Sequence, residues 1–172
     1  MTTAADRPDT GGSNATPAAR VVVQQPTTAA GGPISHAIFR VARLHKMLVG
    51  SLLRDTGLYV GQELVMMHLW DHGEQRQIDL VRVLDSDAAT MTRTIQRLER
   101  AGFVRRRPDP TDARASLIEP TPASRHLHAK LEKIWQELER LTVGSLDPAQ
   151  QQATLVSFEA LENNLIAATT DT

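Results

Sequence analysis

A helix followed directly by a hairpin, over residues 87–119, constrains the fold of this chain more than any other feature. The helix is predicted over 87–101, where apolar residues repeat at spacings of four and three. Strands are predicted at 103–107 and 115–119, and a cluster of proline and aspartate at 108–112 marks the turn between them. Together these signals predict a helix that carries a hairpin with a long tip.

Helical periodicity fills the chain on both sides of this unit. Short helices are predicted at 61–71 and 77–84, and with the hairpin they give the arrangement of a winged helix-turn-helix. Longer helices flank the unit, and their narrow, heptad-like apolar seams suit helix pairing, including pairing between subunits. The seams consist of Ile34, Ile38, Val41, His45, Leu48 and Leu52 in the first helix, Leu127, Leu131, Ile134, Leu138 and Leu141 in the fifth, and Leu155, Phe158, Leu161 and Leu165 in the last.

The expected fold class is therefore mainly α, a winged helix-turn-helix with flanking long helices that form a dimerisation region. We expect a disordered tail at 1–33, because Ala, Thr, Gly and Pro dominate it without a hydrophobic period. A dimerisation helix at 34–56, a winged helix-turn-helix DNA-binding domain at 57–120 and C-terminal dimerisation helices at 121–168 follow. The residues expected to cap or end helices are Gly57, Ser86 or Asp87, Gly102, Thr121, and the pair Asp147 and Gln150.

The helix 87–101 carries an arginine face opposite its apolar face. Arg93, Arg97 and Arg100 repeat at the same spacing as the apolar residues but are displaced by two positions, about 200° around the helix. The window 91–107 holds six arginines and one acidic residue, in a chain whose net charge is -1. This concentration indicates a local anion site rather than a general polycation.

Polar side chains that suit DNA lie beside these arginines. Thr90, Thr92 and Gln96 flank them, and Arg, Gln and Thr side chains match the base edges and phosphates of the B-DNA major groove. Three alternatives stay open for this face: a solvated helix surface, a helical interaction module that binds an acidic protein partner, and a ligand-sequestering protein with a vestigial winged unit.

The hairpin tip is also basic. Arg105, Arg106 and Arg107 enter the turn and Arg114 leaves it, and a basic loop beside a recognition helix is shaped to reach an adjacent minor groove. Alternation along a strand directs Arg106 away from its two neighbours, so the three arginines cannot all face DNA. Asp112, two residues before Arg114, is placed to hold a guanidinium in a fixed fork.

These motifs together resemble the MarR family of bacterial transcriptional regulators. The matching stretches are Gln77-Ile78-Asp79-Leu80-Val81, Ala89-Thr90-Met91-Thr92-Arg93, Leu98-Glu99-Arg100-Ala101-Gly102-Phe103-Val104-Arg105-Arg106, Asp112-Ala113-Arg114 and Thr121-Pro122. The resemblance implies a homodimer in which the first, fifth and sixth helices interlock. It also implies binding to a palindromic double-stranded DNA operator, repression, and control by a small, often aromatic and anionic, ligand.

The same resemblance assigns roles to individual residues. It places Thr90, Thr92, Arg93, Gln96 and Arg97 in the major groove, and Arg106, Asp112 and Arg114 in the wing. The chain departs from the family pattern at three points. Ala113 stands where a second wing-tip arginine is common, Pro120 stands where a leucine is usual, and the tail at 1–33 is an extension.

A small-molecule pocket is expected between the long helices and the winged unit, where concave apolar space is typical of such folds. The candidate lining residues are Arg40, His45, Met66 and Trp70. His45 interrupts an apolar seam, so it is either a core or interface residue or a group that binds an anionic effector. Met66 and Trp70 are alternatively core residues.

Other chemistry has little support in the sequence. The absence of cysteine excludes disulfides and thiolate metal sites. His68 and His72 have a spacing that two metal ligands could share, but no third ligand is identifiable, so we expect no metal and no cofactor. Asp109 and Asp112 are paired carboxylates on a solvated turn, and no nucleophile elbow or glycine-rich phosphate loop is present, so no enzyme is expected. Without an apolar run of about 20 residues or a signal peptide, a cytoplasmic protein that binds no membrane is expected.

Overall fold

Helices follow one another along the chain until a small sheet interrupts them. After a 3-10 turn at Thr27–Ala29, the elements are α1 (Pro33–Leu52), a 3-10 turn (Arg54–Thr56), α2 (Gln62–His72), β1 (Gln75–Arg76), α3 (Gln77–Val83), α4 (Ala88–Arg100), β2 (Val104–Pro108), β3 (Ser116–Pro120), a 3-10 turn (Pro122–Ser124), α5 (Arg125–Val143) and α6 (Pro148–Thr170). The structure, a computed structural model, describes residues 26–112 and 115–170. The predicted fold class, mainly α with a winged helix-turn-helix, is confirmed.

The chain divides into two units, residues 1–38 and 39–172. In the first unit, described from residue 26, the chain forms the turn at Thr27–Ala29 and then enters α1. The last part of the predicted tail therefore has local helical structure, while residues 1–25 lie outside the described residues. The division of the remaining chain into a DNA-binding domain and dimerisation helices stays a prediction.

A third strand that the sequence analysis did not predict joins the hairpin. The sheet is antiparallel in the order β1-β3-β2. Gln75 pairs with Ile118 and Arg76 pairs with Leu117, so β1 ties the start of α3 to the returning strand of the wing. Strands β2 and β3 each begin one residue later than the sequence indicated. Two residues are too few to show alternation, which is why the pattern gave no signal for β1.

One apolar core holds the winged unit together. Its almost fully buried members are Leu53, just after α1, together with residues of α2, α3, α4, β2, β3 and α5: Val65, Met66, Leu69, Leu80, Met91, Ile95, Leu98, Val104, Ile118, Leu127 and Leu131. Met91, Ile95 and Leu98, the apolar residues at the predicted spacings of four and three, are all among them. Helix α4 is therefore anchored along one side, and its opposite side is free to carry polar side chains.

The ends of the helices agree with most of the predicted signals. Asp87 is the N-cap of α4, and its Oδ1 accepts the amide of Thr90 at 2.8 Å. Asp147 and Gln150 form a capping box, in which the amide of each donates to the side chain of the other at 3.0 and 2.9 Å. Gly57, with φ of 78°, is left-handed as predicted, although it follows the 3-10 turn rather than α1 itself.

Thr121 does not cap the helix that follows it, contrary to the sequence prediction. A 3-10 turn intervenes before α5, and the Thr121 hydroxyl donates instead to the carbonyl of Gly102, at 2.7 Å. Ser124, which is fully buried in this turn, donates to the carbonyl of Thr121 at 2.8 Å and accepts the indole N–H of Trp70 at 3.1 Å. A continuous set of hydrogen bonds therefore runs from Trp70 in α2, through Ser124 and Thr121, to Gly102 just after α4.

Two of the flanking helices, α1 and α6, are far more exposed than the winged unit, whereas α5 buries Leu127, Leu131 and Leu138. No residue of α6 is buried, although Leu155, Phe158 and Leu165 form its apolar seam. In α1, Phe39 is 76% exposed, and Val41, Leu44 and Met47 are also exposed. No helix in the described ranges is long and apolar enough to cross a membrane.

Candidate nucleic-acid interface and ligand groove

Four of the five residues predicted to face the major groove are exposed on α4. They are Thr90, Arg93, Gln96 and Arg97, while Thr92 is half-buried and the apolar side of the helix is buried in the core. The guanidinium of Arg97 lies 5.5 Å from the ring centroid of Tyr59, a cation–π contact that the sequence analysis did not predict. Tyr59 therefore holds Arg97 toward the N-terminal end of α2.

The two predicted threonines form hydrogen bonds with other groups of the chain. The Thr90 hydroxyl donates to Oδ2 of Asp87 at 2.6 Å, and this bond is the first cause of a lowered pKa for Asp87. The Thr92 hydroxyl donates to the carbonyl of Ala88 at 2.7 Å and accepts the side-chain amide of Gln77 at 2.8 Å. Thr92 thereby links α3 to α4. Its hydroxyl already donates its hydrogen and accepts one bond, so little hydrogen-bonding capacity is left for a DNA base.

The arginines of β2 alternate in direction, as the sequence analysis predicted. Arg105 pairs with Glu119 on one side of the strand. Arg106 turns to the other side, where its Nε lies 3.4 Å from Oε2 of Glu99 and its Nη1 donates to Oε1 of Gln77 at 3.3 Å. Arg106 thus contacts both α3 and α4, so its side chain ties the wing to the helix-turn-helix.

Arg107 shares the side of Arg105. It pairs with Glu74 and lies 4.0 Å from Glu119 through its Nε. All three arginines of β2 therefore have carboxylate partners within the chain, and a DNA phosphate has to compete with those carboxylates for the guanidinium groups.

The turn of the wing is built around a buried carboxylate. Asp109 is only 6% exposed, whereas the sequence analysis placed it on a solvated turn. Its Oδ1 accepts both the amide and the hydroxyl of Thr111 at 2.7 Å, and its Oδ2 accepts Nε of Arg76 at 2.6 Å. Hydrogen bonds from Thr111 and then from Arg76 lower the pKa of Asp109 to about 2. The carboxylate is buried because these donors satisfy it.

Arg76 connects β1 to the tip of the wing. Besides Asp109, its Nη2 donates to the Thr111 hydroxyl at 2.9 Å, and the hydrogen bond to Asp109 raises the pKa of Arg76. Asp112 is exposed, and its negative charge also raises the pKa of Arg76. Arg114 lies outside the described residues, so its place in the wing and the predicted fork with Asp112 stay predictions.

A groove of about 730 Å³ lies between α2 and α5. Its lining residues are Met67, Trp70 and Asp71 from α2, and His128, Leu131, Glu132, Trp135, Gln136 and Glu139 from α5. The Trp70 indole is held by Ser124, and its ring centroid lies 5.2 Å from that of His128. His128 Nδ1 in turn lies 3.4 Å from Oε1 of Glu132. The volume falls in the range typical of small-molecule sites.

Of the four residues predicted to line a ligand pocket, only Trp70 lies in this groove. Met66 is fully buried in the apolar core and does not line the groove, so the alternative that it is a core residue is the one the structure shows. Arg40 and His45 are exposed on α1 and do not line the groove.

The described residues contain no group of three side chains that could hold a metal ion. The rings of His68 and His72 stack with centroids 4.2 Å apart, and Nδ1 of His72 lies 3.0 Å from the carbonyl of His68. This local contact occupies one nitrogen of the pair.

Comparison with known proteins gives one consistent result. Residues 58–116 match the model of the MarR family. The transcriptional repressor NicR of Pseudomonas putida is 25% identical over 122 residues, 71% of this chain and 77% of that protein. The uncharacterised transcriptional regulator YwoH of Bacillus subtilis is 34% identical over 107 residues, 60% of this chain and 77% of that protein.

A solved structure of Bordetella bronchiseptica BpsR, described as regulated in DNA binding by 6-hydroxynicotinic acid, is also similar. It superposes with a TM-score of 0.69 at 26% identity, and the match covers 75% of this chain and 98% of that one.

Proposed function

Because the chain belongs to the MarR family of transcriptional regulators, we propose that it is a homodimeric, cytoplasmic repressor of a palindromic DNA operator. A small molecule that binds the groove between α2 and α5 controls its affinity for that operator. Family membership supports DNA-binding regulation as the class of activity. The geometry of α4 and the wing supports the assignment of the DNA-binding surface, and the groove supports a site for the small molecule.

The observation that carries this proposal is the two-sided character of α4. Its apolar side is buried, while Arg93, Gln96 and Arg97 are exposed and form no ion pair among the described residues, where Arg93 has only a Coulombic interaction with Asp87. A single helix with this distribution fits the major groove, where guanidinium and amide side chains distinguish bases.

We assign different tasks to the residues of this face. Arg93 and Gln96 read base edges, because both are exposed near the middle of the helix. Arg97 contacts the phosphate backbone, because Tyr59 holds it toward α2. Thr92 and Arg106 position the helix and the wing through their contacts with Gln77.

The homodimer is supported by the exposed apolar faces of α1 and α6. Phe158 is 51% exposed on a helix that buries none of its residues. Exposed apolar surface of this extent on long helices is typical of a subunit interface. A two-fold dimer presents two α4 helices, which matches a palindromic site.

The test is binding of the purified full chain to the duplex upstream of its own gene and to a scrambled duplex, at two salt concentrations. We expect sequence-selective, salt-sensitive binding of one dimer per site. Gln96→Ala should relax base preference at one position in each half-site, and Arg93→Ala should weaken binding by about 1–3 kcal/mol. Lys133→Ala, on the exposed side of α5, is the matched control.

Equal weak binding to both duplexes, together with tight binding to an acidic protein, contradicts the proposal and favours the interaction-module alternative. An operator selected with Gln96→Ala that is identical to the one selected with the parent protein contradicts the assignment of Gln96 alone.

A further inference from the structure

The groove between α2 and α5 is acidic. Asp71, Glu132 and Glu139 bring three carboxylates to its lining, and the only basic side chain among the lining residues is His128, which faces Glu132. Among residues 26–112 and 115–170, neither a lysine nor an arginine lines it. A bound carboxylate or phenolate would lie among like charges at short range, which is unfavourable even at the intermediate effective dielectric of a protein surface.

The walls of the same groove are aromatic. Trp70 lies on α2 and Trp135 on α5, and Leu131, which is almost fully buried, also lines the groove. The Trp70 indole has its N–H satisfied by Ser124, so what it offers a ligand is the face and edge of its ring. Indole faces attract cations through the ring quadrupole, and they also stack on planar apolar groups.

We propose that the ligand of this groove is an aromatic cation, a planar apolar body that carries a protonated amine or a quaternary ammonium group. The planar body packs between the two indoles, and the positive group lies toward Asp71, Glu132 and Glu139. This charge is the opposite of the one that the family resemblance implies. The inference rests on the proposed function only for its regulatory consequence, because binding to the groove is measurable without DNA.

The chain itself supplies the reporter for the test. It contains two tryptophans, and both line the groove. Intrinsic tryptophan fluorescence of the full-length protein is followed during titration with benzyltrimethylammonium, with phenylacetate as the anionic probe and benzyl alcohol as the neutral probe. We expect a saturable change with the cation and an affinity at least about ten-fold higher than for phenylacetate.

Charge-removing variants locate the binding. Glu132→Gln and Asp71→Asn should each weaken binding of benzyltrimethylammonium by about two- to five-fold and leave benzyl alcohol unchanged. Asp85→Asn removes one negative charge from an exposed turn outside the groove, at a left-handed position that asparagine accepts, and should change nothing. Circular dichroism of each variant verifies that it is folded.

Several results overturn the inference. Phenylacetate binding that equals or exceeds binding of the cation excludes the proposed ligand class. Absence of any saturable change, with tryptophan emission that shifts only on dilution of the dimer, shows that a second copy of the chain covers the groove. Equal weakening by Asp85→Asn shows a non-specific charge effect.

The outcome for DNA is read separately. Selective DNA binding without cation binding removes this inference and leaves the proposed function intact. Cation binding by a protein that does not bind DNA selectively removes the proposed function and leaves the ligand class intact.

Discussion

The winged unit and the last helix have similar apolar side chains but very different surroundings. In α4, Met91, Ile95 and Leu98 are almost completely buried against other parts of the same chain. In α6, Leu155 and Phe158 remain about half exposed and no residue is buried. The first region completes its core within one chain, whereas the second lacks the surface that would cover it. An apolar seam thus predicts that a helix is covered, but not which chain covers it.

The largest expected effect comes from opening the closed core. Leu98→Ala removes a fully buried side chain from α4 and should lower the free energy of unfolding by about 2–5 kcal/mol. Gln96→Ala, on the exposed side of the same helix, should change it by less than about 0.5 kcal/mol. Urea denaturation followed by circular dichroism measures both values. Equal effects at the two positions would contradict the two-sided description of α4.

The next largest effect is expected for substitutions in α6. They should weaken association of the two subunits and leave the folding of the winged unit unchanged. Leu155→Glu combined with Phe158→Glu places two charges in the proposed interface and should raise the dimer dissociation constant by about a hundred-fold or more. Sedimentation equilibrium measures this change. Gln152→Glu adds a charge to the same helix outside the seam and serves as the control. If the parent protein is monomeric at micromolar concentration, a second subunit does not cover the seam of α6, and the contrast drawn between α4 and α6 is wrong.

Asp109 tests whether the wing belongs to the closed region. Asp109→Asn should weaken the contacts to Arg76 and Thr111 and increase hydrogen exchange at the Thr111 amide, while the exchange rates of α4 stay unchanged. Because the pKa of about 2 lies below the ordinary value near 3.9, the carboxylate stabilises the folded protein above about pH 4. That stabilisation is lost as the pH falls toward 2, so the variant should lose less stability than the parent over this interval.

The smallest effect is expected at the junction of α4 and the wing. Glu99→Gln removes the carboxylate partner of Arg106 and one negative charge beside the proposed DNA interface. DNA affinity should rise by about two- to five-fold, with a steeper dependence on salt. Fluorescence anisotropy with a labelled duplex measures both quantities. Weaker binding would show that Arg106 acts mainly through its bridge to Glu99.

The sequence predicted the helices and the hairpin of the wing, but not the third strand of its sheet or the contacts of its turn. The order of the six helices was predicted because each spans at least two turns or ends at a clear signal such as Gly57 or Asp87. Strand β1 was missed because two residues carry no period. The turn at Asp109 had a readable local signal, since the Thr111 amide lies two residues on, in the position of an Asx turn. Its long-range partner Arg76 had none.

The candidate site shows the same limit. The arginine face of α4 follows from spacing alone, so it was predictable. The engagement of Thr92 by Gln77, and of Arg106 by Glu99, depends on how α3, α4 and β2 pack, and spacing contains no information about packing. The acidic groove was missed for a related reason. Its carboxylates come from positions about sixty residues apart, and only the contact between α2 and α5 brings Asp71 beside Glu132.

The buried hydroxyl of Ser124 has a mechanical consequence. Its hydrogen bond fixes the edge of the Trp70 indole, and the same turn holds the carbonyl of Gly102 through Thr121. A ligand that rotates the Trp70 indole either breaks the hydrogen bond from the indole N–H to Ser124 or moves the turn at Pro122–Ser124 with the indole. The indole and the end of α4 therefore behave as two ends of one short linkage. Such a linkage transmits displacement in both directions, so a duplex that immobilises α4 also stiffens one wall of the groove.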